Sequence, residues 1–127
     1  MSNYPVEITA NLEGAITNLQ AAKASLETGQ NETAAARAAD AAFHTGSMLL
    51  LNEEIEPSQL GDVITLIQQV FVQGRRLTKD QGSDLHWLFA LRKVEDRGTA
   101  QVNSEEALRA VEIAKSFFEA AKVILDS

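Results

Sequence analysis

The sequence predicts an all-α protein, an antiparallel up-and-down bundle of four to five helices. Three observations carry this expectation. Apolar residues recur at steps of three and four through most of the chain. No segment sustains the period-two alternation of a half-buried strand. The only prolines, Pro5 and Pro57, interrupt no periodic run.

The first helix is expected over about Val6 to Thr28, where Ile8, Leu12, Ala15, Leu19, Ala22 and Leu26 share one seam. Gly29 can take the left-handed conformation that ends it. Gln30 and Asn31 make the turn into a second helix, about Glu32 to Glu53. There Ala35, Ala36, Ala39, Ala42 and Gly46 would let a neighbouring element approach closely, before the bulky run Met48 to Leu51. The polar stretch NEEIEPSQ separates it from a third helix with Leu60, Ile64, Ile67 and Phe71 on one face, ended by Gly74. A fourth begins near Lys79 to Ser83 and runs through Leu85, Leu88 and Leu91 to Gly98.

The last helix is the most explicit. Asn103 can accept from the free amides of the first turn while Glu106 reaches back, the capping-box arrangement. Ala107, Val111, Ala114, Phe118, Ala121 and Leu125 form one stripe beside a second of Ala110, Ile113, Phe117, Ala120 and Ile124. Its charges, Arg109, Glu112, Lys115, Glu119 and Lys122, are confined to one narrow remaining stripe. So much apolar circumference calls for sister helices on one side and a second subunit on another, so a homodimer is expected.

The 127 residues suit one domain covering 1–127, large enough to fold without metal or disulfide help. The absence of cysteine excludes disulfides, thiolate zinc sites and cysteine nucleophiles. No apolar run approaches the ~20 residues a membrane-spanning helix needs. Met1 to Pro5 has neither the basic start nor the apolar core of a signal peptide, so a cytoplasmic protein is expected. The net charge of −7 argues against general DNA or RNA affinity, since a phosphate backbone rewards clustered positive charge. Residues 1–60 hold eight acids against Lys23 and Arg37, whereas 61–127 hold ten acids against nine bases. Arg75, Arg76 and Lys79 form the one tight basic cluster, and cations at a helix end already complement the terminal carbonyls.

The leading candidate site is on helix two, where Thr33, Arg37, Asp40, His44 and Ser47 line one polar stripe at spacings of four, three, four and three. Arg37 could hold a phosphate through its planar fork, and His44 could move a proton to or from a ribose hydroxyl, the two roles of metal-independent phosphodiester cleavage. The same stripe also reads as a solvated helix face with ordinary local pairs, and the Asp40 carboxylate between the two cations repels phosphate. His86, beside Trp87, reads as a core-edge or capping histidine. The two histidines are too far apart in sequence to share a helical turn, so no metal site is expected. No cofactor is called for.

Three segments in order, ARAADAAFHTGSMLLL, VFVQGRRLTKDQGSDL and LFALRKVEDRG followed by SEEALRAVEIAKSFFEAAKVIL, resemble HEPN domains over nearly the whole chain. The small single-domain prokaryotic branch is the nearest in pattern. Arg37, Phe43 and His44 fit its second helix, Phe71, Val72 and Gly74 fit the end of its third, and Leu91, Arg92 and Asp96 fit its last motif. Ala39 and Asp40 replace the paired tyrosines of that pattern, Glu95 its small residue and Arg97 its final tyrosine. The resemblance implies a dimerising helical bundle, often partnered with a minimal nucleotidyltransferase. In some branches it implies a ribonuclease toxin that uses arginine, four to six residues, then histidine. Neither Arg92 nor Arg97 is followed by such a histidine, whereas Arg37 and His44 have six residues between them, on helix two. The expected function is a binding or interaction module, homodimeric and paired with a nucleotidyltransferase or a toxin–antitoxin type protein. Its alternatives are a metal-independent ribonuclease using Arg37 and His44, or a nucleotide-binding regulatory subunit in which Arg37, Asp40, His44 and Ser47 contact the ligand.

Overall fold

The computed structural model describes residues 3–57, 59–96 and 101–126, and the side chains within these ranges other than those at positions 60–61 and 92–96. Five α-helices follow in order: α1 (Pro5–Glu27), α2 (Asn31–Asn52), α3 (Leu60–Ile67), α4 (Lys79–Asp96) and α5 (Ser104–Asp126). There is no strand among the described residues.

Each helix end has a local cause. Pro5 starts α1, where its missing N–H and fixed φ cost nothing. Gly29, at φ +74°, ends that helix: its amide bonds to the Leu26 carbonyl and the Gln30 amide to the Ser25 carbonyl, a Schellman pair. Helix α2 closes with the same pair, the Glu54 amide on Leu51 and the Ile55 amide on Leu50, but here the left-handed residue is Glu54, at φ +64°. Asn103 and Glu106 form the expected capping box, with the Glu106 amide donating to Asn103 Oδ1 at 2.8 Å and the Asn103 amide to Glu106 Oε1 at 3.1 Å. A second box opens α4, between Thr78 and Gln81, with bonds of 2.8 and 3.0 Å.

The third helical segment departs from expectation. Helix α3 is only eight residues long and continues as a π-helical turn over Gln68–Val72, closed by the Gln73 amide on the Gln68 carbonyl. Gly74 follows, but the left-handed residue is Arg75, at φ +62°. What Gly74 provides is clearance, since a Cβ there would be 2.3 Å from the Val70 carbonyl oxygen. Arg76 pairs with Glu53 and lays its guanidinium over the Phe71 ring, 4.8 Å from the centroid. That contact fastens the turn to the end of α2.

Helix α2 is the central element and packs against all four other α-helices. Its run of small residues permits this: Ala34, Ala35, Ala38, Ala39, Ala41 and Ala42 are buried, and a Cβ at Gly46 would meet Val63 Cγ1 at 2.7 Å. Ala15 and Ala22 of α1 are fully buried, and Ile8, Leu12, Leu19 and Leu26 pack against the core, as the seam predicts. Met48, Leu49, Leu50, Val63, Phe71, Leu85, Leu88 and Phe117 supply most of the bulk of the core. On α5 the buried face is Ala107, Ala110, Ile113, Ala114, Phe117 and Ala121, while Val111, Phe118, Ala120, Ile124 and Leu125 are half-buried. Leu91 is buried. The side chains of Leu60, Arg92, Lys93, Glu95 and Asp96, and residues Arg97 and Gly98, lie outside the described residues, so the motif readings placed on them have no structural counterpart here.

Candidate functional site

The polar stripe of α2 lies along its seam with α1 and changes character from one end to the other. Thr33 and Arg37 are exposed, Asp40 and His44 are half-buried, and Ser47 is only 5% exposed. A fully solvated face is therefore ruled out for its second half. The two helices run antiparallel across the three-residue connection Thr28 to Gln30, so α1 presents Asn18 at the level of Arg37 and Asn11 at the level of His44.

Both asparagines use their two ends in the same way. Asn11 Nδ2 donates to the Glu7 carbonyl and Asn18 Nδ2 to the Gly14 carbonyl, each at 2.9 Å. A carbonyl accepts only from a donor, so each amide oxygen must face α2. Asn11 Oδ1 then stands 2.9 Å from His44 Nδ1, and Asn18 Oδ1 accepts from Arg37 Nη1 at 3.4 Å. In neutral His44 the proton consequently sits on Nδ1, leaving Nε2 as the basic nitrogen.

The His44 ring is held on two further sides. Gly14 offers it a bare backbone, for a Cβ there would approach His44 Cγ and Nδ1 to 2.9 Å. Phe43 meets the ring edge-on, with centroids 5.6 Å apart. Below it, the buried Oγ of Ser47 has no hydrogen-bond partner.

The arrangement brings Arg37 and His44 onto one seam but not to one point. Seven residues of helix separate them by about 10 Å along the axis, with Asp40 on the turn between. Each is bonded to a different asparagine.

Sequence reasoning missed the α1 half of this seam. Its signal was present: Asn11, Gly14 and Asn18 interrupt the helix at steps of three and four beside the apolar seam, where two amides and a glycine have no reason to cluster on a purely solvated face. His86 also differs from expectation. It is exposed rather than at the core edge, and shares a shallow depression with Gln68, Lys79 and Ser83. No group of three or more histidine, aspartate or glutamate side chains that could hold a metal occurs among the described residues.

The HEPN domain family model matches residues 9–124, which runs from Thr9 in α1 to Ile124 in α5. The chain belongs to the HEPN domain family. A relative from Methanocaldococcus jannaschii, named "Putative toxin", is 32% identical over 119 residues, covering 94% of this chain and 89% of that protein. The all-α HEPN bundle expected from the sequence is thus the fold observed. No helix among the described residues is long and apolar enough to cross a membrane.

Proposed function

We propose that this HEPN domain is a homodimeric interaction module, the helical component of a toxin–antitoxin type pair, and that it works by binding a partner protein, a nucleotidyltransferase being the first class to test. One observation carries this reading. The two residues that would cut RNA, Arg37 and His44, are each bonded to an asparagine of α1, so both are engaged in the α1–α2 seam. The toxin-named relative supports the toxin–antitoxin setting.

A second reading rests on a specific feature of the same seam. Asn11 holds the His44 proton on Nδ1 and leaves Nε2 as a base, the tautomer a metal-independent ribonuclease would use.

The deciding experiment incubates purified protein with RNA in the presence of a chelator. It also co-expresses the chain with the product of the adjacent reading frame and follows complex formation by size-exclusion chromatography with light scattering. The expected result is a stable complex and no cleavage. Chelator-resistant cleavage abolished by His44→Ala and weakened by Arg37→Ala would overturn the binding reading in favour of the enzyme. In that event Asp40→Asn should tighten RNA binding by removing a like charge from the phosphate path.

A further inference from the structure

Helices α1 and α5 leave a long groove of about 560 Å³ between them, floored by Leu19, Leu26, Val111 and Phe118. All four large apolar side chains that stand exposed among the described residues lie on these two helices: Val6 (75%), Ile16 (40%), Val123 (70%) and Leu108 (48%), the last of which lines the groove. An apolar groove with a polar rim on the surface of a small protein is the pattern of an interaction face.

The rim of the groove on α5 shows what fits it. Glu112, Lys115, Glu119 and Lys122 are all exposed and follow one another at steps of three, four and three, so they form one straight row of alternating sign. Laid parallel to a copy of itself, this row sets each charge against its like. Laid antiparallel about a two-fold axis level with Phe117, it sets Glu112 against Lys122 and Lys115 against Glu119, and the symmetry repeats both pairs. The row is complementary to its own reverse. The lysine stems help to cover the groove floor, as Lys122 already does with its ammonium 5.9 Å from the Phe118 ring centroid.

We infer that the α1–α5 groove is the seat of a second copy of this chain, joined through an antiparallel α5–α5 pairing in which Glu112, Lys115, Glu119 and Lys122 set the register. The inference rests on the homodimer reading above and adds the face, the direction and the register. A two-fold interface uses the same patch on both subunits, so a self-complementary row is the pattern such an interface requires. Exposed ion pairs contribute little affinity, and their role here is to choose the antiparallel register over the parallel one while the apolar floor supplies the association.

The test uses the full chain and two charge-uniform variants. Lys115→Glu with Lys122→Glu makes the row entirely acidic, and Glu112→Lys with Glu119→Lys makes it entirely basic. Because all four side chains are exposed, both variants should keep the helical circular dichroism of the parent. By sedimentation equilibrium the parent should be a dimer, and each variant alone should self-associate about tenfold or more weakly. An equimolar mixture of the two should restore a one-to-one dimer that weakens as salt is raised. Parent and variants that dimerise equally would overturn the α5 pairing and leave the homodimer reading standing on another face. A parent that stays monomeric at tens of micromolar would overturn both.

Discussion

His44 Nδ1 lies 2.9 Å from Asn11 Oδ1 while its ring rests on the bare backbone of Gly14, so one side chain of α2 is fixed by two residues of α1 a single helical turn apart. The seam between the first two helices is therefore keyed at this point by shape as well as by hydrogen bonding. Elsewhere along it Arg37 donates to Asn18, and the fully buried residues of α1 are the small Ala15 and Ala22.

Replacing Gly14 tests that key. Alanine in a helix interior normally gains about 1 kcal/mol over glycine. Here its Cβ would sit 2.9 Å from the pinned imidazole, and overpacking costs about 1–3 kcal/mol, so Gly14→Ala should lower stability. With His44→Ala already present the same change should become stabilising. Urea unfolding of the four proteins of this double-mutant cycle measures the reversal, and an equal effect of Gly14→Ala in both backgrounds would contradict it.

Ser47 offers the opposite case. Its Oγ is buried without a partner, and such an oxygen costs about 1–3 kcal/mol in desolvation. Ser47→Ala should raise the urea midpoint by the equivalent of about 1 kcal/mol at unchanged slope. A drop in stability would mean that the hydroxyl is bonded in solution.

At the end of α2 the left-handed position is filled by Glu54, whereas the matching position after α1 is Gly29. A residue with a Cβ pays about 1–2 kcal/mol for this conformation. Glu54→Gly should therefore stabilise the protein by roughly 0.5–1 kcal/mol, after the larger backbone entropy that glycine loses on folding is counted. Thermal unfolding followed by circular dichroism would show it, and an unchanged or lower midpoint would count against the account.

The two capping boxes should be comparable in worth. Thr78→Ala and Asn103→Ala each remove an acceptor for a first-turn amide and should cost about 0.5–2 kcal/mol. Hydrogen exchange should localise the loss to the first turn of α4 in one variant and of α5 in the other. Uniform loss of protection over the whole chain would argue against a local capping role.

These sites also show what a sequence discloses. The Asn103–Glu106 box was legible because its chemistry is complete within four residues. The Thr78–Gln81 box is equally local, with glutamine in the place glutamate takes in the other. The helices and their buried faces followed from periodicity, which depends on neighbours a turn away. Asn11, Gly14 and Asn18 did not yield, because which edge of α1 meets α2 depends on how two separate helices lie against each other. The burial of Ser47 and the exposure of His86 run against the ordinary habits of their residue types, and only the assembled packing decides them. Arg37 and His44 do share one edge of α2, but their separate partners, Asn18 and Asn11, belong to α1.

The π-helical turn at Gln68–Val72 has a consequence for the history of the chain. Such a turn holds one residue more than the α-helical path it replaces. Its removal would let α3 run on regularly while swinging everything after it by about 100° around the axis. Phe71 would then leave the core and Arg76 would lose Glu53. Length at this point is therefore under tighter constraint than composition, and homologous chains should accept substitutions within these five positions far more readily than the gain or loss of a single one.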